Sequence, residues 1–256
     1  MNCLLETKNL TVRIANKIIC RDLNLHIKAG ETWGIIGPNG SGKTTLLHSL
    51  ANLLPVLSGN IFLQEKKISC LSQKDIARQL GILFQDSNDI FPQSVFEFCS
   101  SGRYPHLRYF SFGNKQDEKI VKDALSVVDL DQHLSQKIHT LSGGERRRLD
   151  IATLLSQSPT IYLLDEPTNH LDIRYQIKIV DHFKQLTKTA PISVVMSIHD
   201  INLAAHYCDK ILMLFGEGEY LTGDPSSLFS EKNLERLYQH RFQKITKDTK
   251  SIWTPL

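Results

Sequence analysis

One stretch, TWGIIGPNGSGKTTLLHSLAN at residues 32–52, limits the chain to few folds. A short apolar run, Thr32–Ile36, feeds Gly37, Pro38, Asn39, Gly40, Ser41, Gly42, Lys43, Thr44 and Thr45, and a helical pattern continues from Lys43 to Asn52. From Gly37 the residues fit G-x-x-x-x-G-K-[ST], in the strand–loop–helix setting that gives the pattern its mechanism. The glycines let backbone N–H groups turn inward around phosphate, and the helix N-terminus adds a favourable dipole. Lys43 brings a point charge to the outer phosphates, and the Thr44 hydroxyl can ligate Mg2+.

Such a loop needs a second cation anchor at the end of a neighbouring buried strand. IYLLDEP, residues 161–167, supplies one: four apolar residues end in Asp165, placed to hold Mg2+, with Glu166 immediately after. A second carboxylate there can polarise an attacking water. Two more apolar runs end in polar groups. Gln85 closes LGILFQ and His199 closes ISVVMSIH. Core strands of this type converge on a nucleotide at their C-terminal edges. That places Gln85 at the metal or the attacking water, and His199 at the terminal phosphate.

The rest of the pattern predicts an α/β fold. Residues 4–14 and 17–28 alternate as an antiparallel pair, and strands are expected near 60–64 and 80–84. From about 94 to 156 the spacing turns helical, and strand and helix alternate again from 160 to 215. The expected architecture is a P-loop NTPase core with a mostly parallel sheet, an N-terminal antiparallel β subdomain and an inserted α-helical subdomain. One domain spans 1–240, and the basic residues 241–256 read as a solvated or loosely attached tail.

Composition narrows the partners. The formal net charge is +3, so no nucleic-acid partner is expected. The five cysteines lack zinc-like spacing and read as reduced thiols of a cytosolic chain. The N-terminus has no signal-peptide pattern, and no apolar run approaches the roughly 20 residues of a membrane span. The basic run Arg146–Arg148 reads as a solvated or salt-bridged helix face.

LSGGE, Leu141, Ser142, Gly143, Gly144 and Glu145, opens the helix that carries this run. Together with the phosphate loop, LLDEP and the later Gln85 and His199, it resembles the nucleotide-binding subunits of ABC transporters over nearly the whole chain. The resemblance implies an ATPase with ATP and Mg2+, the metal held by Thr44, Gln85 and Asp165. Glu166, His199 and Gln85 would be catalytic. A second copy of the chain would lay Ser142, Gly143 and Gly144 on the γ-phosphate of ATP bound to the first, which suits the free N–H donors of a helix start. Asp172, in NHLD, matches the loop that communicates between the two sites. Ile14 stands where the family usually carries an adenine-stacking aromatic, which implies looser base selectivity. Glu145 and Arg147, where Gln is the commoner residue, read as tolerated variation.

With no span of its own, the chain would sit peripherally on the cytoplasmic face of the inner or plasma membrane. It would work with transmembrane permease subunits and, through them, an extracytoplasmic substrate-binding protein. FPQSVFEFCSSGRYPHL (91–107), TNHLDI and HDINLAAHYCD look like the importers of vitamin B12, ferric siderophores and haem, with docking expected just after Gln85. Resemblance places cobalamin first, ferric siderophore or haem second. GRYPHL also reads as an ordinary helix-ending loop, since Gly102 and Pro105 are stop signals. A soluble ABC ATPase acting on DNA or ribosomes is the weaker alternative, as no long coiled coil or second cassette is present. A lone P-loop kinase or GTPase would leave LSGGE and the helical block unexplained.

Overall fold

The computed structural model describes residues 2–85, 92–107, 114–247 and 250–256. The chain opens with two long antiparallel strands, β1 (Cys3–Ile14) and β2 (Lys17–Lys28), in the expected places. Next come β3 (Thr32–Ile36), α1 (Lys43–Leu50), β4 (Ser58–Leu63) and the short β5 (Lys66–Lys67). After α2 (Gln73–Gln79), β6 (Leu80–Leu83) leads into a helical block. The block holds α3 (Val95–Ser100), α4 (Lys115–Val127) and α5 (Gly143–Gln157). The chain then returns through β7 (Ile161–Leu164), α6 (Ile173–Thr189), β8 (Ser193–Ser197), α7 (Ile201–Tyr207) and β9 (Lys210–Gly216). It closes with β10 (Glu219–Gly223), α8 (Pro225–Leu228), α9 (Glu231–Tyr238), β11 (Phe242–Lys247) and β12 (Lys250–Pro255).

The central sheet runs β10-β9-β3-β8-β7-β6, parallel throughout except for β10. A second, antiparallel sheet runs β2-β1-β4-β5. The central strands are apolar on both faces because both faces are covered. Tyr162 and Leu164 of β7 join the core beneath the helical block and α6, while Ile161 and Leu163 join the core shared with α1 and the antiparallel sheet. β9 alternates the same way, with Ile211 and Met213 on one side and Leu212 and Leu214 on the other. Phe183 of α6 is fully buried and meets Tyr162 edge-on, ring centroids 5.4 Å apart.

The helical block is nailed down at its starts. Ser94, Asn114 and Ser142 cap α3, α4 and α5, each in a reciprocal capping box with Glu97, Asp117 or Glu145 three residues on. GRYPHL proves to be an internal staple. Arg103 is buried, with Nε donating to Asp117 Oδ1 at 2.9 Å and Nη1 to Ser156 O at 2.8 Å. The His106 ring nitrogen Nε2 lies 2.8 Å from Gln157 O, and Arg78 Nε donates to Pro105 O at 2.8 Å.

One part differs from the sequence reading. The basic end of the chain is an antiparallel hairpin, β11 with β12, rather than a loose tail. Trp253 anchors it: its side chain is buried, its backbone N–H donates to Asn202 Oδ1 at 2.7 Å, and Asn202 Nδ2 donates to its backbone carbonyl at 3.0 Å. A single aromatic with a matched amide pair outweighs the polar composition around it. The segment expected to begin the docking surface, residues 86–91, lies outside the described residues. Among the described residues no helix is long and apolar enough to cross a membrane.

The capping boxes add an acid-sensitive contribution to the stability of the helical block. Hydrogen bonds from Ser94 hold the Glu97 carboxyl below its ordinary range; Arg103, then the Asn114 amide, do the same for Asp117, and Ser142 does so for Glu145. A depressed folded-state value stabilises the fold above the unfolded value, near pH 4, and that stability is lost as pH falls through the folded value. The part of the melting temperature that these boxes contribute should therefore be lost below about pH 4 in melts followed between pH 7 and 3. The double variant Glu97→Gln, Asp117→Asn should melt lower at pH 7 and show a shallower acid decline. An unchanged acid profile would remove these boxes from the explanation.

Candidate active site

Four parallel strands, β3, β6, β7 and β8, end on the same edge of the central sheet, and the chemistry gathers there. The loop after β3 wraps into α1 through Gly42, which lies at φ 100° and whose absent Cβ would press on the Ile19 side chain at 2.5 Å. Gly37 is equally confined: a Cβ there would meet Ser41 Oγ at 2.6 Å and Leu214 O at 2.7 Å. The first intrahelical bond of α1 runs from Leu46 N to Gly42 O. The amides of Lys43, Thr44 and Thr45 precede it, so they have no partner inside the helix.

Lys43 is buried, its ammonium donating to Gly37 O at 2.9 Å and Pro38 O at 3.3 Å. Burial lowers its pKa, against the opposing pull of Glu166 and Asp165. A buried cation facing free amides and a helix dipole is built for an anion of high charge.

A cavity of about 640 Å³ joins this loop to the other strand ends. Its lining includes Ile14, Asn39, Gly40, Gly42, Lys43, Thr44, Thr45, Gln85, Glu166 and His199, all expected from the sequence, together with Ile19 and Asn169, which were not. The Glu166 carboxylate is its focus. His199 Nε2 lies 2.5 Å from Oε1, Gln85 Nε2 donates to Oε2 at 3.3 Å, and Asn169 Nδ2 donates to the same oxygen. Ile14 is half exposed at the cavity mouth, where the sequence places the base-contacting residue.

Asp165, beside it, is fully buried. Its Oδ1 accepts from Ser197 Oγ at 2.7 Å, while Oδ2 has no protein partner. An orphaned buried carboxylate oxygen is costly unless a cation completes it. Among the described residues no cluster of three or more His, Cys, Asp or Glu could hold a metal alone. That donor set suits Mg2+, which takes one or two protein oxygens and the rest from phosphate and water.

Sequence reasoning missed what lies beneath. Glu166 sits at φ 47°, in the left-handed region, at a cost on the order of 1–3 kcal/mol. Arg147 is not part of a solvated face: it is buried, and its guanidinium donates to the carbonyls of Phe84, Gln85, Asp165 and Glu166. Hydrogen bonds to a charged group are worth about 1.5–3 kcal/mol each, enough together to hold a desolvated guanidinium. Its neighbours are also engaged internally. Arg146 pairs with Asp150 at 3.2 Å and lies over the Phe98 ring, while Arg148 donates to Val128 O and Tyr175 Oη. The only available sequence cue for Arg147 was its place one turn into the LSGGE helix.

The remaining expected residues stand away from the cavity. Ser142 and Gly143 are exposed at the start of α5, and a Cβ on Gly143 would meet nothing within 4 Å. Glu145 presently occupies the Ser142 donors, accepting from its amide at 2.8 Å and its hydroxyl at 2.7 Å. Asp172 is exposed and caps α6, its Oδ1 accepting from Tyr175 N at 3.0 Å.

Known proteins are similar to this chain in sequence and fold. The family described as ABC transporter matches residues 20–169. A petrobactin import ATP-binding protein of Bacillus anthracis is 38% identical over 96% of this chain and 90% of its own length. The ferric enterobactin transport ATP-binding protein of Escherichia coli (strain K12) is 34% identical over 98% of this chain and 92% of its own. A metal-chelate type ABC transporter solved in an inward-facing conformation shares the fold at TM-score 0.85 and 24% identity, over 100% of this chain and 98% of that one. A dimeric ATP-binding cassette bound to ADP and phosphate superposes at TM-score 0.76 with 27% identity, over 87% and 99%. The chain belongs to the ABC transporter family, as an ATP-binding subunit whose ATP hydrolysis is coupled to transport.

Proposed function

We propose that the chain powers an importer of ferric siderophores, through an ATP sandwich formed by two copies of itself. One observation carries the catalytic part: the ends of four parallel strands bring Lys43, Gln85, Glu166 and His199 to one cavity. The phosphate loop, Gly37 to Thr45, binds the phosphates, with Lys43 exchanging its two carbonyls for the outer ones. Thr44, Asp165 and Gln85 would hold Mg2+, which when bound would offset the negative charge of the phosphates. Glu166 accepts a hydrogen bond from the water that attacks the γ-phosphorus, and the bond to the β-phosphate oxygen breaks. His199 and Gln85, which already reach the Glu166 carboxylate, orient it and the γ-phosphate. Ile14 contacts the base.

The signature residues Leu141 to Glu145 serve the other copy's nucleotide. Ser142 and Gly143 offer an exposed helix start, with Gly144 beside His170 O, so a second chain's γ-phosphate can displace the Glu145 carboxylate from the Ser142 donors. Asp172, at the start of α6, relays between the two sites. Permease subunits dock beside Gln85. An apolar cleft of about 210 Å³ there, lined by Ile82, Phe84, Phe98 and Leu154 among others, supports this reading. The subunit then works at the cytoplasmic face of the membrane, fed by an extracytoplasmic binding protein.

The names of the relatives, petrobactin and ferric enterobactin, move the transported molecule from cobalamin, placed first by sequence wording, to a ferric siderophore. An iron(3+)-hydroxamate import ATP-binding protein of Bacillus subtilis (strain 168), 36% identical over 82% of this chain and 78% of its own length, points the same way.

Glu166→Gln is expected to keep ATP binding, lower turnover by roughly 10²–10⁴-fold and trap an ATP-bound dimer. Turnover near the wild-type rate would remove Glu166 from the mechanism. For the cargo, the binding protein of the same system should bind ferric siderophores tightly in a titration, and cobalamin and haem weakly. Tight cobalamin or haem binding without siderophore binding would overturn the cargo while leaving the ATPase intact.

A further inference from the structure

Glu166 is held in its left-handed backbone conformation from two sides. On one side Ser197 Oγ accepts the Glu166 N–H at 2.8 Å and donates to Asp165 Oδ1 at 2.7 Å. On the other, Arg147 Nη2 donates to Glu166 O and to Asp165 O, both at 2.7 Å. The second arm of the same guanidinium, Nη1, donates to Phe84 O and to Gln85 O. One planar group thus ties the end of β7 to the end of β6, and both to α5, whose first residue follows Ser142.

A residue with a side chain leaves the left-handed region unless its surroundings over-determine it. If the Glu166 peptide relaxed, the carboxylate would swing away from the His199 and Gln85 side chains that now contact it. Lys can substitute only in part. An ammonium is a point donor, whereas this site uses the two terminal nitrogens of a rigid fork on two pairs of carbonyls. Arg147 is not among the residues that line the cavity, and its contacts with the Asp165 and Glu166 carbonyls connect it to the reacting end through the turn it holds.

We propose that Arg147 is a positioning residue for Glu166, fixing the turn that carries the carboxylate and locking that turn to Gln85 and to the LSGGE helix. The proposal rests on Glu166 orienting the attacking water. It gives the helical block a stiff mechanical link to the reacting end of the cavity: five residues of helix and one side chain separate Ser142 from the Glu166 carbonyl.

The test compares Arg147→Lys, Arg147→Met, Ser197→Ala and Glu166→Gln in the assembled transporter, measuring kcat, KM for ATP and melting temperature. Arg147→Met should lower kcat by roughly 10–100-fold with KM within about 2-fold of wild type. Arg147→Lys should fall between the two. If Arg147→Met does not fold, Arg147→Lys and Ser197→Ala decide, and each should lose kcat more than it gains in KM. Wild-type kcat in the folded Arg147 variants, with Glu166→Gln inactive, overturns the positioning role and leaves the Glu166 reading standing. Losses of kcat that only track a falling melting temperature and a rising KM overturn it too. Near-normal turnover by Glu166→Gln would instead sink the reading on which it rests.

Discussion

Parallel strand pairing is the constraint on which the rest of the molecule depends. Because β3, β8, β7 and β6 run the same way, their C-terminal ends fall on one edge, and each must hand its chain to a helix on one face or the other. That edge is where α1 begins with amides that lack partners inside the helix, and where polar residues end the buried strands. Lys43, Gln85, Glu166 and His199 all sit just beyond it. A slip of one residue in any strand would turn its apolar set to the wrong core. Strand register and site geometry are therefore one specification.

The same physics appears twice, with opposite exposure. α1 begins inside the cavity, beside a buried lysine, and its free amides face a site enclosed by the chain itself. α5 begins at the surface, with Ser142 and Gly143 uncovered and an internal carboxylate on the Ser142 donors. A helix start that holds an acidic side chain in place of an external anion is satisfied as a monomer, yet ready to exchange when a better anion arrives. On the proposed reading, this difference in exposure separates a site that binds nucleotide alone from one that needs a second chain.

Much of this was legible in the sequence because it is local. An apolar run that ends in a polar residue names both a strand and its active end, which is how Asp165, Glu166, Gln85 and His199 were found. The phosphate loop announces itself by its glycines. What stayed hidden depends on contacts between distant segments. Ser197 is one serine among apolar residues until β8 pairs with β7 and brings it to Asp165 and Glu166. Asn169 reaches Glu166 only because the chain turns back after β7. Arg147 looked like one charge in a run of three, since no periodicity marks a guanidinium that will be buried against carbonyls some 20 and 60 residues away. The C-terminal hairpin was masked by its lysines, and its anchoring partner, Asn202, is 51 residues earlier.

The central claim is that the second set of helix-start donors serves another copy's nucleotide. ATP-driven dimerisation measured by light scattering tests it most directly, comparing Glu166→Gln with Glu166→Gln, Ser142→Arg. Ser142 lies outside the cavity of its own chain, so both proteins should bind ATP equally well. The account expects the parent to assemble into dimers on adding ATP and the Ser142→Arg protein to stay monomeric. Dimers as tight as the parent's would contradict it.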